Sequence, residues 1–190
     1  MKLDKVQQKK IMDEIAKISS EKRYNSKKNT IYFAKDNAFI YCDFLIVNSQ
    51  KLVYRIYIKN YEYDDIFWRV MQMPDNSKKN DSLRAVGAFK APSILLNKGE
   101  IELGDNYVEQ AQYLITLIDE SSCSFLEKYD IDDYVINLAD GMYINILKYL
   151  AYIHMNNEFE ANNIAKKAVN DNAVDFINEG KSFFEWALTE

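Results

Sequence analysis

Residues 30–58, TIYFAKDNAFIYCDFLIVNSQKLVYRIYI, decide the fold. Three runs in this stretch, Thr30–Ala34, Ala38–Val47 and Leu52–Ile58, are rich in Ile, Val, Tyr and Phe. Branched and aromatic side chains of this kind suit a pleated, half-buried backbone. The separators, Lys35-Asp36-Asn37 and Asn48-Ser49-Gln50-Lys51, are short and polar. Strands joined by such short turns must lie antiparallel, so the stretch predicts a meander of hairpins. In the third run Leu52, Tyr54, Ile56 and Ile58 share one face, and Val53, Arg55, Tyr57 and Lys59 the other. One face is expected in the core and the other partly wet.

Upstream, Val6, Ile11, Met12, Ile15 and Ile18 follow helical spacing and predict an amphipathic helix over residues 4–20. Downstream, residues 66–73, IFWRVMQM, fit either a fourth strand or a short helix. Residues 74–82, PDNSKKNDS, read as a loop. The stretch Ser82–Leu103 is expected to hold one or two more strands, with a turn at Asn97-Lys98-Gly99-Glu100. From Asp105 the period becomes helical. Tyr107, Ala111, Leu114 and Ile118 form a stripe that Val108 and Ile115 support, and Asn106 with Glu109 makes an N-cap signal. Ser124 with Glu127 repeats that signal before a short helix. Met142–Met155 reads as a buried helix, and Ala161–Val169 and Val174–Leu188 as a helical tail. The sum is an α+β chain: an N-terminal helix, an antiparallel meander of about four to six strands, and a helical C-terminal region. The expectation is one domain over 1–190, helix and sheet in 1–104 and helices packed on them in 105–190.

Composition narrows the setting. The only cysteines, Cys42 and Cys123, are too few for a disulfide framework and lack metal-ligand spacing, which points to a reducing cytoplasm. The longest apolar run, Met142–Met155, falls short of the ~18–20 residues of a membrane span. No apolar stretch follows the charged N-terminus, so no membrane partner is expected. The bias towards Lys, Asn, Ile and Tyr accompanies AT-rich bacterial genomes. Formal charge is uneven: +5 over residues 1–30, +3 over 31–99 and -13 over 100–190. The acidic half repels phosphate and argues against a nucleic-acid partner.

Familiar catalytic patterns are missing. Five glycines, at 87, 99, 104, 141 and 180, form no phosphate-binding loop. His154 is the only histidine, lies in an apolar helix, and reads as structural; zinc, which usually wants several His or Cys ligands, is not expected. Asp130, Asp132 and Asp133 lie near Asp119, Glu120 and Glu127. Val135 stands where a calcium loop starting at Asp130 needs glycine, so the cluster reads as a solvated acidic stretch. No catalytic, cofactor-binding or metal residues are assigned, and the reading leans away from an enzyme. The distinctive string is Tyr61-Glu62-Tyr63-Asp64-Asp65 with Trp68 after it. Aromatics beside carboxylates either pack a strand end or form a partner-binding patch, since Tyr and Trp are enriched at hot spots.

Two resemblances follow from these residues. Residues 149–169, YLAYIHMNNEFEANNIAKKAV, resemble one tetratricopeptide-type helical hairpin, with Leu150-Ala151, Phe159, Ala161 and Ala168 near that pattern's positions. The likeness implies two helices packed closely through alanines. The overall plan, with Ile31–Tyr61, Trp68 and the acidic tail, resembles small bacterial families akin to toxin-immunity proteins. That resemblance implies a non-catalytic module that binds a protein, such as a basic toxin. The alternative is a small-molecule binder or enzyme using the tyrosines and carboxylates of residues 61–68.

Overall fold

A computed structural model of the chain describes residues 2–173 and 176–189. Its architecture is α+β, as the hydrophobic periods require. A five-stranded antiparallel sheet runs in the order β1-β2-β3-β4-β5, where β1 is Asn25–Lys27, β2 Thr30–Lys35, β3 Ala38–Val47, β4 Lys51–Asn60 and β5 Ile94–Glu102. Among the described residues no helix is long and apolar enough to cross a membrane.

The chain falls into two compact units. The first comprises Met1–Ile58 and Ile94–Lys128, and the second Lys59–Ser93 and Tyr129–Glu190.

In the first unit, α1 (Lys5–Glu21) starts on a capping box. Asp4 accepts from the Gln7 amide at 2.8 Å, and the Gln7 side chain accepts from the Asp4 amide at 2.9 Å. Such a pair satisfies two donors that a helix start otherwise leaves orphaned. Ile11, Ile15 and Ile18 are buried, whereas Val6 is exposed. Helix α4 (Tyr107–Leu126) packs on α1 and buries Ala111, Leu114, Ile115, Ile118 and Phe125. Asn106 caps it by accepting from the Glu109 amide, while Val108 faces out. The expected start of a new helix at Ser124 is not found, because Ser124 lies inside α4.

The β3–β4 turn places Asn48 and Ser49 in the left-handed region, φ 53° and 57°. Two consecutive positive φ values match the right-handed twist of the strands they join. Along β4, Leu52, Tyr54, Ile56 and Ile58 are buried, as alternation requires.

Residues 97–100, expected as a turn, are the middle of β5. Asn97, Lys98, Gly99 and Glu100 pair with Ile56, Arg55, Tyr54 and Val53. Gly99 ends nothing. It makes room for the Tyr54 ring, since a Cβ there would lie 2.6 Å from Tyr54 Oη. Ser82–Leu103 accordingly holds one strand, preceded by the short helix α3 (Ser82–Val86).

In the second unit the ambiguous run 66–73 resolves as a helix, α2 (Tyr63–Val70). It leads into a 3-10 turn, Pro74–Lys78. Helices α5 (Ile131–Ile136), α6 (Met142–His154) and α7 (Glu158–Asn170) follow. α6 and α7 pack on each other; Ala151, Ala161, Ala165 and Ala168 are buried, while Phe159 is exposed. The expected helical tail 174–188 is corrected over its described part. A hairpin of β6 (Ile177–Asn178) and β7 (Lys181–Ser182) precedes the short α8 (Phe183–Ala187); residues 174 and 175 lie outside the described residues. Gly180, at φ +80°, supplies the turn that a helix period cannot contain.

The Gly99–Tyr54 contact is testable. Gly99→Ala is expected to lower stability by about 1–3 kcal/mol in urea unfolding, as overpacking does. In a Tyr54→Leu background the same change should be close to neutral; an equal loss in both backgrounds would refute the contact.

Candidate functional site

The string 61–68 folds around two cations. Lys59, at the end of β4, is wholly buried, and Asp64 and Arg84 are buried beside it. The Lys59 ammonium donates to the carbonyls of Arg84 at 3.0 Å and Ala91 at 3.2 Å. It lies 2.7 Å from Asp64 Oδ2, off the ideal hydrogen-bond direction. Asp64 Oδ1 accepts from the Ala91 amide at 2.8 Å. Burial pushes the Lys59 ammonium down to about 8, against the pull of Asp64, and pushes the Asp64 carboxyl up. Both directions have one cause: removal from water penalises the charged form.

Arg84 extends the cluster. Its Nη1 donates to the Tyr61 carbonyl at 2.9 Å, and its Nη2 to Asp65 Oδ1 at 2.7 Å. Its Nε reaches Asp81 Oδ1 at 3.3 Å, which also accepts from the Tyr61 hydroxyl at 2.7 Å. The guanidinium carbon stands 4.0 Å from the Tyr61 ring centre and 5.1 Å from that of Trp68, a cation–π cage. Trp68 Nε1 donates to the Phe89 carbonyl at 2.7 Å.

Of the six residues singled out in sequence, Tyr63, Asp64 and Trp68 are therefore buried, and Tyr61 and Asp65 are half-buried around Arg84. Only Glu62 stands well out, its side chain 67% exposed.

The opposite side of α2 carries a second arrangement that sequence reasoning missed. The Tyr63 hydroxyl donates to Asp132 Oδ1 at 2.7 Å. Burial, reinforced by Asp132, raises the Tyr63 pKa well above its ordinary value, so the phenol keeps its proton. His154 Nδ1 lies 2.6 Å from Asp132 Oδ2. A carboxylate accepts only, so Nδ1 carries the proton and the ring presents Nε2 elsewhere. Asn60 Nδ2, at 3.4 Å from Nδ1, adds little. Glu62 Oε2 is 3.9 Å from Nε2. Asn60 Oδ1 accepts from the Glu62 amide at 3.1 Å and fixes where that residue leaves the strand.

Glu62 and His154 border a cavity of about 560 Å³, with Arg69 on α2, Glu158 and Asn162 on α7, and an apolar wall of Ile66, Tyr149 and Ile153. Its size is that of a small-ligand or side-chain pocket. The histidine had no local signal, because Asp132 lies 22 positions away and meets it only through the packing of α5 on α6.

The remaining acids scatter. Asp130 caps α5, accepting from the amides of Asp132 at 2.9 Å and Asp133 at 3.2 Å. In the first unit Asp119 accepts from the Tyr24 hydroxyl at 2.6 Å and pairs with Lys22. Among the described residues no group of three His, Cys, Asp or Glu is placed to hold a metal ion. Cys42 and Cys123 are free thiols, and burial pushes the Cys42 pKa up.

Charge sorts differently in the fold than along the chain. The first unit holds 14 Lys/Arg against 13 Asp/Glu, and the second 10 against 16. No family model, curated protein or solved structure matches the chain.

Breaking the buried pair should be costly. Lys59→Met is expected to lose about 3–5 kcal/mol, because it strands the Asp64 charge. Adding Asp64→Leu should lose less than the two single changes together, a coupling of about 0.5–3 kcal/mol in a double-mutant cycle. Strict additivity would mean that the two groups do not interact.

Proposed function

We propose that the chain is a non-catalytic protein-binding module of a bacterial cell, and that its partner is a basic protein which it holds as an immunity-type inhibitor holds a toxin. The observation that carries this reading is the charge of the second unit, 10 Lys/Arg against 16 Asp/Glu, beside a first unit that is almost neutral. Complementary charge steers encounter and can raise association rates by orders of magnitude. An acidic unit selects a basic partner and rejects nucleic acid. Tyr63, Asp64 and Trp68 are buried, so of the string 61–68 it is chiefly Glu62, 67% exposed, that this reading offers to the partner.

A second reading, a small-molecule binder or enzyme, is favoured by the Glu62–His154 cavity. In that reading His154, oriented by Asp132, accepts a proton or a hydrogen bond at Nε2.

Affinity capture from the native cell separates the two. The expected result is a stoichiometric complex with a protein of high pI, whose association slows on the order of tenfold or more as salt screens the attraction. Recovery of no protein above background, or of acidic partners insensitive to salt, would overturn the binding-module reading.

A further inference from the structure

The cavity beside α2 combines two features that together specify a ligand class. Its polar lining includes two carboxylates and an imidazole. Glu62 Oε2 and His154 Nε2 lie 3.9 Å apart, and Glu158 borders the same space. His154 Nδ1 is held by Asp132 at 2.6 Å, which turns Nε2 towards Glu62. Along the wall run Ile66, Tyr149 and Ile153. A ligand that satisfies both must carry several donors and a positive charge on a long apolar stem. Lysine and arginine side chains have that form, burying their methylenes while the head stays among polar groups.

An anion is disfavoured, because two carboxylates, Glu62 and Glu158, line the cavity. A neutral apolar ligand would desolvate the Glu62 carboxylate without offering it a new partner. Arg69 borders the cavity as well.

We infer that this cavity receives an arginine or lysine side chain of the partner protein, with Glu62 and Glu158 as counter-charges. The inference rests on the binding-module reading for its occupant but not for its chemistry. Tyr63 and Asp132 act as positioning residues. They touch no ligand, and hold the imidazole so that Nε2 is presented towards Glu62.

The test uses the full chain and two capped tripeptides, Gly-Arg-Gly and its citrulline counterpart, which keeps the shape without the charge. Each is titrated while the ring resonances of His154 are followed by NMR. The expected result is a saturable shift with the arginine peptide and binding at least fivefold weaker with citrulline. Glu62→Gln/Glu158→Gln should weaken the arginine peptide at least tenfold with an unchanged unfolding midpoint, since both side chains are exposed. Equal affinity for the two peptides, a shift that never saturates, or full binding by the double variant would each overturn the inference. Capture of a basic protein that the double variant binds undiminished overturns the cavity's role while the binding-module reading stands. Saturable arginine binding with no basic protein captured supports the cavity and removes that reading.

Discussion

Lys59 carries an ammonium into a part of the second unit from which water is excluded, and the segment after it is arranged around that charge. A buried cation without partners is unstable by far more than a domain's net stability. The chain meets this by supplying two carbonyls and Asp64 within hydrogen-bonding or ion-pair distance. Asp64 in turn needs the Ala91 amide, and lies 3.9 Å from Arg84. Arg84 then takes Asp65, Asp81, the Tyr61 carbonyl and two aromatic faces. The composition of residues 61–68 follows from this chain of requirements. The same pinning sets the rotation of α2, so that Tyr63 meets Asp132 and Glu62 stands outside.

The mixing of aromatics and acids in that string is visible in sequence, but its meaning is not. Beside a partner such residues form a hot spot; around a buried arginine they form a cage. Only the position of Arg84, 19 residues after Asp65, distinguishes the two. Glu62 differs from its neighbours in that Asn60 holds its amide while its side chain stands 67% exposed.

Electrostatics were redistributed in a similar way. Along the chain the acidic excess follows residue 100, yet α4, part of that stretch, packs on α1 from the basic N-terminal stretch, and Lys22 meets Asp119 there. The first unit becomes nearly neutral, and the negative excess belongs to the second. Contact between α1 and α4 is a tertiary event that a running sum of charge cannot contain.

Periodicity by itself determined the elements whose faces see constant environments: α1, β2, β3, β4, α4 and the alanine-lined pair α6 and α7. A two-residue or 3.6-residue repeat reports which side is dry, and that is a local property. Residues 97–100 were misleading because glycine in a strand and glycine in a turn look alike until the Tyr54 ring opposite is known. The tail after residue 176 was misleading because an apolar period does not reveal a two-residue hairpin. Tertiary structure alone decided the pairing of His154 with Asp132, the cage around Arg84 and the cavity that Glu62 borders. Each depends on side chains far apart in sequence being desolvated together, and the free energy of a buried charge or hydrogen bond exists only once the surrounding elements have packed.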